Sequence, residues 1–277
     1  IIKNPETKEP KTFAFDFSYW SHDGFKEGPD GELIPLNDKY ATQQKVFQDL
    51  GQDVLTSAYD GYNSTLFAYG QTGAGKSFSM VGYGVNKGII PMVCSEMFKT
   101  VEKGEGGKKY QVTTTMLEIY NECIRDLLNP AVNVPGGLKV RSKPGIGVYV
   151  ENLTPVAVSN YKEIETRMDE GTAARTVAST KMNATSSRAH TVFGINFTCI
   201  VEMDGGAKSE TTARMNLVDL AGSERAESTG ATGDRLKEGC AINASLSALG
   251  NVITALADIA MGKKKVFVPY RNSALTR

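Results

Sequence analysis

The feature that most constrains this chain is a glycine-rich octapeptide at residues 70–77, Gly-Gln-Thr-Gly-Ala-Gly-Lys-Ser. It matches the phosphate-binding loop pattern G-x-x-x-x-G-K-[ST], in which backbone N–H groups surround nucleotide phosphates. Its glycines permit positive φ angles and a close approach to phosphate oxygens. Lys76 would supply a positive charge for the outer phosphates, and Ser77 a hydroxyl for Mg²⁺. The predicted phosphate-binding residues are Gly70, Gln71, Thr72, Gly73, Ala74, Gly75, Lys76 and Ser77.

The segments on either side of this loop support that interpretation. Residues 65–69 are β-prone and apolar, which predicts a buried strand. After the loop the glycines stop, so a helix can begin there with the positive end of its dipole toward the phosphates. A glycine-rich turn without a ligand is the alternative, and the strand–loop–helix context disfavours it.

Composition excludes several other classes of protein. The 277 residues carry 31 basic and 31 acidic side chains, so a general nucleic-acid binder is not expected, although a local basic patch remains open. The four cysteines are far apart and there are two histidines, which disfavours a zinc site or a disulfide framework and favours a reducing intracellular compartment. No signal peptide opens the chain, and the apolar stretch 246–261 is predicted too short to span a bilayer, so no membrane contact is expected.

Strand and helix patterns alternate along the chain. Strands are predicted at 110–120, 191–203 and 210–220, with a turn at 204–206 between the last two, and a small hairpin within 138–158. Helices are predicted at 121–128, 161–178 and 235–260. The apolar side of the last helix comprises Leu236, Ile242, Leu246, Leu249, Ile253 and Leu256. We therefore expect an α/β fold with a central mixed, mostly parallel sheet and helices on both faces, and one domain over residues 1–277.

Two further polar segments are candidates for the same site. The apolar run 216–220 contains Asp219 near its end, which is the form of a Mg²⁺-organising aspartate at the carboxyl end of a strand. Gly222 follows, and its N–H could approach a phosphate. In 183–190, Ser186 and Ser187 offer hydroxyls for Mg²⁺ or phosphate, and Arg188 can pair with a carboxylate. Taken alone, Asp219 reads as a turn residue and 183–190 as a polar surface loop.

Together, segments 67–77, 183–190 and 219–225 resemble the kinesin motor domain in order and spacing. Segments 245–253 and 269–273 resemble the long helix of that family and the segment after it, so the likeness covers nearly the whole chain. Residues 15–22 are most similar to class three kinesins, the cargo transporters.

This resemblance implies a microtubule-stimulated ATPase, a plus-end-directed motor, with ATP and Mg²⁺ as cofactors. It places Phe78 against the adenine, and Asn183 and Ser186 beside the nucleotide. Mg²⁺ would be held by Ser77, Ser186 and Asp219. The implied catalytic residues are Ser187, Arg188, Gly222 and Glu224, with Arg188 and Glu224 forming an ion pair when both loops close over the γ-phosphate.

The implied partner is the microtubule, and the implied location is the cytoplasmic cytoskeleton. Tubulin tails are acidic, so the docking face should be basic. The candidate contacts are Lys263, Lys264, Lys265, Tyr270, Arg271, Arg277, Arg141 and Lys143. A solvated lysine loop is the alternative at 263–265. Dimerisation would depend on segments outside this chain.

The sequence also departs from the family pattern. Ala189, Ala241 and Ala244 replace a Ser, an Asn and a Lys, so turnover and track affinity could both differ. We expect a first strand before residue 1, and a last strand, helix and neck linker after residue 277. These points leave open a microtubule-binding protein with an impaired motor cycle. A GTPase is disfavoured because no N-K-x-D signature is present.

Overall fold

The computed structural model describes residues 2–104, 108–145, 147–182, 186–203, 207–224 and 233–277. Side chains are described for these residues except 177–182, 186, 234 and 235. Asn183 and the predicted turn at 204–206 therefore lie outside the described residues, as does the side chain of Ser186.

Strands and helices occur in runs along the chain and do not strictly alternate. The strands are β1 (Ile2–Lys3), β2 (Pro10–Lys11), β3 (Phe25–Glu27), β4 (Leu33–Pro35), β5 (Ser64–Ala68), β6 (Gly82–Tyr83), β7 (Asn86–Lys87), β8 (Lys108–Tyr120), β9 (Cys123–Asp126), β10 (Val140–Lys143), β11 (Gly147–Val150), β12 (Val156–Val158), β13 (His190–Glu202) and β14 (Lys208–Asp219). The α-helices are α1 (Gln43–Val46), α2 (Gln52–Tyr59), α3 (Lys76–Met80), α4 (Ile89–Lys103), α5 (Tyr161–Met182) and α6 (Asp234–Ala260). A π-helix at Phe47–Gly51 joins α1 to α2, and short 3₁₀ helices lie at Pro130–Val132, Ser186–Arg188 and Tyr270–Asn272.

The central sheet has the strand order β12-β8-β13-β14-β5, with β9 paired to β8. The β14–β5 pair is parallel, and the other described pairs in this sheet are antiparallel. The mixed sheet is confirmed, but the described strands differ from the mostly parallel arrangement that we predicted. The reason is that β8, β13 and β14 are long neighbouring strands, two of them joined as a hairpin, and hairpins are antiparallel.

Helices cover both faces of this sheet, as predicted. On β13, the alternate residues Phe193, Ile195 and Phe197 are buried against side chains of α2, α4 and α5. Their common face follows from the two-residue period of a strand. On the other face, Val218, Leu220 and Ala221 pack against buried residues of α6. β5, the strand that precedes the phosphate loop, and α6 therefore both contact the carboxyl end of β14.

The long helix α6 is confirmed within one residue of its predicted start. Ile242, Leu246 and Leu249 are buried as expected, whereas Ile253 and Leu256 are 52% and 42% exposed. By length and composition alone, Leu236–Ala260 could cross a membrane. In this fold, 39% of its most apolar 18-residue stretch is buried inside the protein. From the sequence we had predicted that the apolar stretch 246–261 is too short to span a bilayer. The helix is longer than that stretch because it begins earlier. Core helices of soluble proteins meet the same two criteria.

Two local predictions were wrong. Residues 121–128 are not a helix: Asn121 and Glu122 have φ of 50° and 61° and form the turn from β8 into β9. Such paired positive φ angles match the twist of a tight hairpin, and asparagine tolerates them better than most residues. The strand predicted at 65–69 exists as β5, but it is less buried than expected. In the described part of the sheet it is an edge strand, and Phe67 is 37% exposed.

Candidate nucleotide site

The predicted phosphate loop runs from the end of β5 to the start of α3. Gly73 and Gly75 have φ of 80° and 88°, in the left-handed region where a side chain would be strained. No heavy atom outside their own chain neighbours lies within 4 Å of the place where a Cβ would be at either residue. Backbone conformation therefore requires these two glycines, as we expected for positive φ angles in the loop, and crowding does not.

Lys76 points back into its own loop. Its Nζ donates to the carbonyl oxygens of Gly70 and Gln71, at 2.9 and 3.0 Å. The ammonium is thereby held inside the loop that the motif predicts to surround the phosphates.

The Ser77 hydroxyl and the Asp219 carboxylate meet beside the loop. Ser77 Oγ donates to Asp219 Oδ2 at 2.5 Å. The parallel register of β14 and β5, which pairs Asp219 with Ala68, brings the two strand ends together. The predicted relation between the loop and the strand-end aspartate is thus present in the fold.

The same two residues fit a divalent cation. Asp219 is 5% exposed, and its Oδ1 is buried without a hydrogen-bond partner. A buried carboxylate oxygen next to a serine hydroxyl is the kind of hard oxygen donor that Mg²⁺ prefers. Arg175 on α5 adds a positive charge, with Nη1 4.0 Å from Asp219 Oδ2.

Backbone hydrogen bonds join three of the predicted segments. Gly222 N–H donates to the carbonyl of Ser187 at 2.8 Å, and Ser223 N–H donates to the carbonyl of Gly70 at 3.0 Å. The segment after Asp219 is therefore attached both to the phosphate loop and to the 186–188 turn. The Gly222 N–H thus has a protein acceptor in this structure, and its approach to a phosphate stays a prediction.

Glu224 binds the phosphate loop directly. Its carboxylate accepts from Thr72 N–H at 2.8 Å and from Thr72 Oγ1 at 2.6 Å. Partial burial raises the pKa of Glu224, but hydrogen bonds, chiefly those from Thr72, and the charge of Lys76 together outweigh this effect, so the net shift of the pKa is downward. The contact also explains Gly222, because a Cβ there would lie 2.5 Å from Thr72 Oγ1.

Arg188 pairs with a different carboxylate from the one that the resemblance implied. Its Nη1 donates to Glu238 Oε2 on α6 at 2.5 Å, and the hydroxyl of Tyr120 donates to the other oxygen of Glu238. Because Glu224 is bound to Thr72, the expected Arg188–Glu224 ion pair is not formed in this conformation.

A cavity of about 310 Å³ opens beside the loop. Its lining includes the polar residues Lys76, Ser77, Ser187 and Asp219 and the aromatic residues Phe78 and Tyr83. The two rings have centroids 5.9 Å apart and an interplanar angle of 36°. The cavity thus combines cationic and hydroxyl groups for phosphates with an aromatic wall for a base.

The structure places four of the eight predicted microtubule contacts along one groove. Arg141, Tyr270, Arg271 and Arg277 line one surface groove of about 520 Å³. Lys264 and Lys265 are exposed in the loop after α6, and Lys263 pairs with Asp258 at 2.7 Å. Lys143, on β10, is exposed and is not among the residues that line the groove.

Four residues near the site escaped the sequence analysis: Tyr83, Tyr120, Arg175 and Glu238. Tyr83 lies in a short hairpin without a motif. The sequence could have indicated that Arg175 faces the core, since it lies seven residues after buried Met168 and therefore on the same face of α5. Of the family departures, Ala189 is buried and Ala244 is exposed on α6.

A strand, a glycine-rich loop and a helix, with a second strand supplying an aspartate beside the loop serine, define a P-loop nucleotide-binding fold. The chain belongs to the Kinesin motor domain family, which matches residues 2–277.

Curated relatives agree with this assignment. Kinesin-like protein KIF28 of Mus musculus is 51% identical over 279 residues, covering 100% of this chain and 27% of that protein. Kinesin-related protein 1 of Dictyostelium discoideum is 52% identical over 278 residues, covering 98% of this chain and 12% of that protein. The chain therefore spans about a quarter or less of these relatives.

A solved structure of the KIF14 dimer, in its two-heads-bound state with AMP-PNP and a microtubule, has a TM-score of 0.83. It is 40% identical, and the alignment covers 99% of this chain and 74% of that chain. The similarity therefore extends over nearly all of the fold described above.

Proposed function

We propose that this chain is an ATP-hydrolysing motor domain that moves along microtubules in the cytoplasm. The observation that carries the proposal is the 2.5 Å contact between Ser77 and Asp219, because it joins the phosphate loop to the segment that precedes α6. A nucleotide at Ser77 would thus act directly on the segment that leads to the predicted track-binding elements. Plus-end direction and class three membership remain predictions from the resemblance.

We infer that the bound nucleotide is ATP with Mg²⁺. Residues 70–77 would bind the phosphates, and Phe78 and Tyr83 would contact the base. Ser77, Asp219 and Ser186 would hold Mg²⁺, which would neutralise phosphate charge during hydrolysis. Asn183 stays a predicted nucleotide contact.

Arg188 and Glu224 would regulate hydrolysis by exchanging partners. Glu224 would leave Thr72, and Arg188 would leave Glu238, so that the two could pair over the γ-phosphate. The Gly222–Ser187 hydrogen bond supports this proposal, because it already joins the two segments. The exchange would connect phosphate contacts to α6, which carries Glu238.

Track binding would use the basic residues near α6 and β10. The groove with Arg141, Tyr270, Arg271 and Arg277, together with Lys143 and Lys263–Lys265, offers positive charge to acidic tubulin. A microtubule binder without a working motor cycle is the second candidate. It is favoured by the Thr72–Glu224 contact, which occupies a loop N–H, and by Ala189, Ala241 and Ala244.

The proposal is tested by ATP turnover with and without microtubules. We expect Lys76→Ala to lower turnover at least 100-fold, because the phosphates lose their cation. Lys99→Ala, which removes an exposed lysine on α4, is the matched control and should retain wild-type turnover. Microtubule binding without stimulated turnover in the wild type would favour the second candidate, and GTP outcompeting ATP would favour a GTPase.

A further inference from the structure

His190, the first residue of β13, is buried with both ring nitrogens engaged. Its Nδ1 accepts a hydrogen bond from Ala221 N–H at 3.0 Å, and its Nε2 lies 2.8 Å from Ser245 Oγ. Ser245 Oγ in turn donates to the carbonyl of Ile242 at 2.7 Å. Since the serine proton is used there, Nε2 must carry the ring hydrogen and donate it to Ser245.

The imidazole is therefore neutral in this arrangement. Burial, with a smaller contribution from the Arg175 charge, lowers the pKa of His190 to about 4. At physiological pH the ring keeps one acceptor for Ala221 and one donor for Ser245.

One partner of His190, Ala221, lies beside the nucleotide site, and the other, Ser245, lies on the helix that leads to the proposed track-binding loop. Ala221 lies between Asp219, which contacts Ser77, and Gly222, which contacts Ser187. Ser245 lies in the middle of α6. Apolar contacts also join Ala221 to α6, but such contacts are non-directional and tolerate sliding or rotation of a helix. Two hydrogen bonds through one planar ring fix both distance and orientation.

We propose that His190 is a positioning residue that ties the segment after Asp219 to α6 and transmits its displacement to that helix. This rests on the proposed function, because the displacement is the one that nucleotide binding would cause. A second contact, Arg188 with Glu238, joins the same helix about two turns earlier and ends on the 186–188 turn instead.

Three substitutions separate the two hydrogen bonds. Ser245→Ala removes the acceptor on α6 and leaves the Ala221 contact intact. His190→Asn keeps an acceptor near the Nδ1 position but is too short to reach Ser245. His190→Gln keeps a donor near the Nε2 position. Ser247→Ala, at an exposed serine of the same helix, is the matched control.

Hydrogen exchange, with and without the ATP analogue AMP-PNP and Mg²⁺, measures the transmission. In the wild type and in Ser247→Ala we expect nucleotide to change protection in both 217–224 and 236–250. In Ser245→Ala and His190→Asn the first change should persist and the second should fall at least threefold, with partial recovery in His190→Gln. An unchanged response of 236–250 in Ser245→Ala would overturn the proposal.

Microtubule-stimulated turnover gives an independent readout. Ser245→Ala should keep basal turnover within twofold and lose at least fivefold of the stimulation by microtubules. A structural defect alone would lower both rates together. Equal stimulation of the variant and the wild type would overturn the proposal.

The tie itself can be observed without nucleotide. The chain has two histidines and His22 is exposed, so ¹⁵N spectra of the imidazoles are simple to assign with His22→Gln. We expect a neutral His190 with its proton on Nε2 at pH 7. A charged ring or an Nδ1–H tautomer would overturn the proposal. If the wild type has this tautomer but AMP-PNP changes hydrogen exchange nowhere in the chain, the proposed nucleotide site is wrong. The hydrogen bonds of His190 would then transmit no nucleotide-dependent displacement.

Discussion

In this structure Thr72 uses both oxygens of the Glu224 carboxylate, which in the proposed mechanism would pair with Arg188. Arg188 meanwhile uses Glu238. Each charged group is thus satisfied before the two meet, so their pairing requires an exchange of partners and not the creation of new charge contacts.

At Glu224 we expect substitution by alanine to separate binding from hydrolysis. Glu224→Ala should retain nucleotide affinity within a few-fold, because Lys76 and the loop amides are untouched. Turnover should fall about 100-fold or more, because the pair with Arg188 is lost. Fluorescent-nucleotide titration and phosphate release measure the two quantities. Glu102→Ala, at an exposed glutamate of α4, is the control, and normal turnover in Glu224→Ala would remove this residue from the mechanism.

His190 should make stability depend on pH. Its folded-state pKa of about 4 lies below the ordinary value of 6.5, so between these values the unfolded chain binds a proton that the folded chain does not. The contribution of the neutral His190 ring to the free energy of unfolding is complete above pH 6.5 and declines as pH falls toward 4. Between pH 7.5 and 5.5 we expect the wild type to lose about 1 kcal/mol more unfolding free energy than His190→Asn. Urea unfolding at both pH values measures this, and parallel losses would contradict it.

At the scale of elements, α6 joins the two halves of the proposed mechanism. Its buried side packs on Val218, Leu220 and Ala221 beside the nucleotide site. Its carboxyl end leads into the exposed lysines 263–265. In the proposed mechanism, a rigid helix with one part at the site and basic residues after its end would convert a small shift at the sheet into a displacement of the proposed docking surface.

The lysine loop after α6 should bind microtubules mainly through charge. Replacing Lys263, Lys264 and Lys265 together by alanine should weaken affinity about tenfold at low ionic strength and much less at high salt. Co-sedimentation over a salt series measures this. Lys3, Lys8 and Lys11, exposed at the amino-terminal hairpin, provide a triple-alanine control with the same change of charge. Equal affinity of the two triple variants would show that the effect is not specific to the loop after α6.

At the scale of the whole molecule, stability depends on the core between the sheet and α2, α4 and α5. Phe193 is 2% exposed in the middle of β13, whereas Phe267 is 85% exposed in the loop after α6. Phe193→Ala should lower the free energy of unfolding by about 3–5 kcal/mol, and Phe267→Ala by less than about 0.5 kcal/mol. Urea unfolding compares the same substitution at a buried and at an exposed site. Similar losses of unfolding free energy in the two variants would contradict this assignment of the core.

Sequence alone predicted the elements whose cause is local. The glycine and lysine pattern of the phosphate loop, the β-prone runs of β13 and β14, and the apolar stripes of α5 and α6 are properties of neighbouring residues. The β8–β9 hairpin was missed because two consecutive positive φ angles, at Asn121 and Glu122, are strained for residues other than glycine. The partners of Arg188 and Glu224 could not be predicted, since Glu238 lies 50 residues from Arg188 and Thr72 lies 152 residues from Glu224 in the chain.

Lys76 has a consequence for the first encounter with a polyphosphate. Its ammonium is already surrounded by oxygens of Gly70 and Gln71, so an incoming anion substitutes for contacts that exist and does not have to order a loose segment. Little conformational entropy is then lost on association. More of the interaction free energy remains to drive rearrangements far from the pocket.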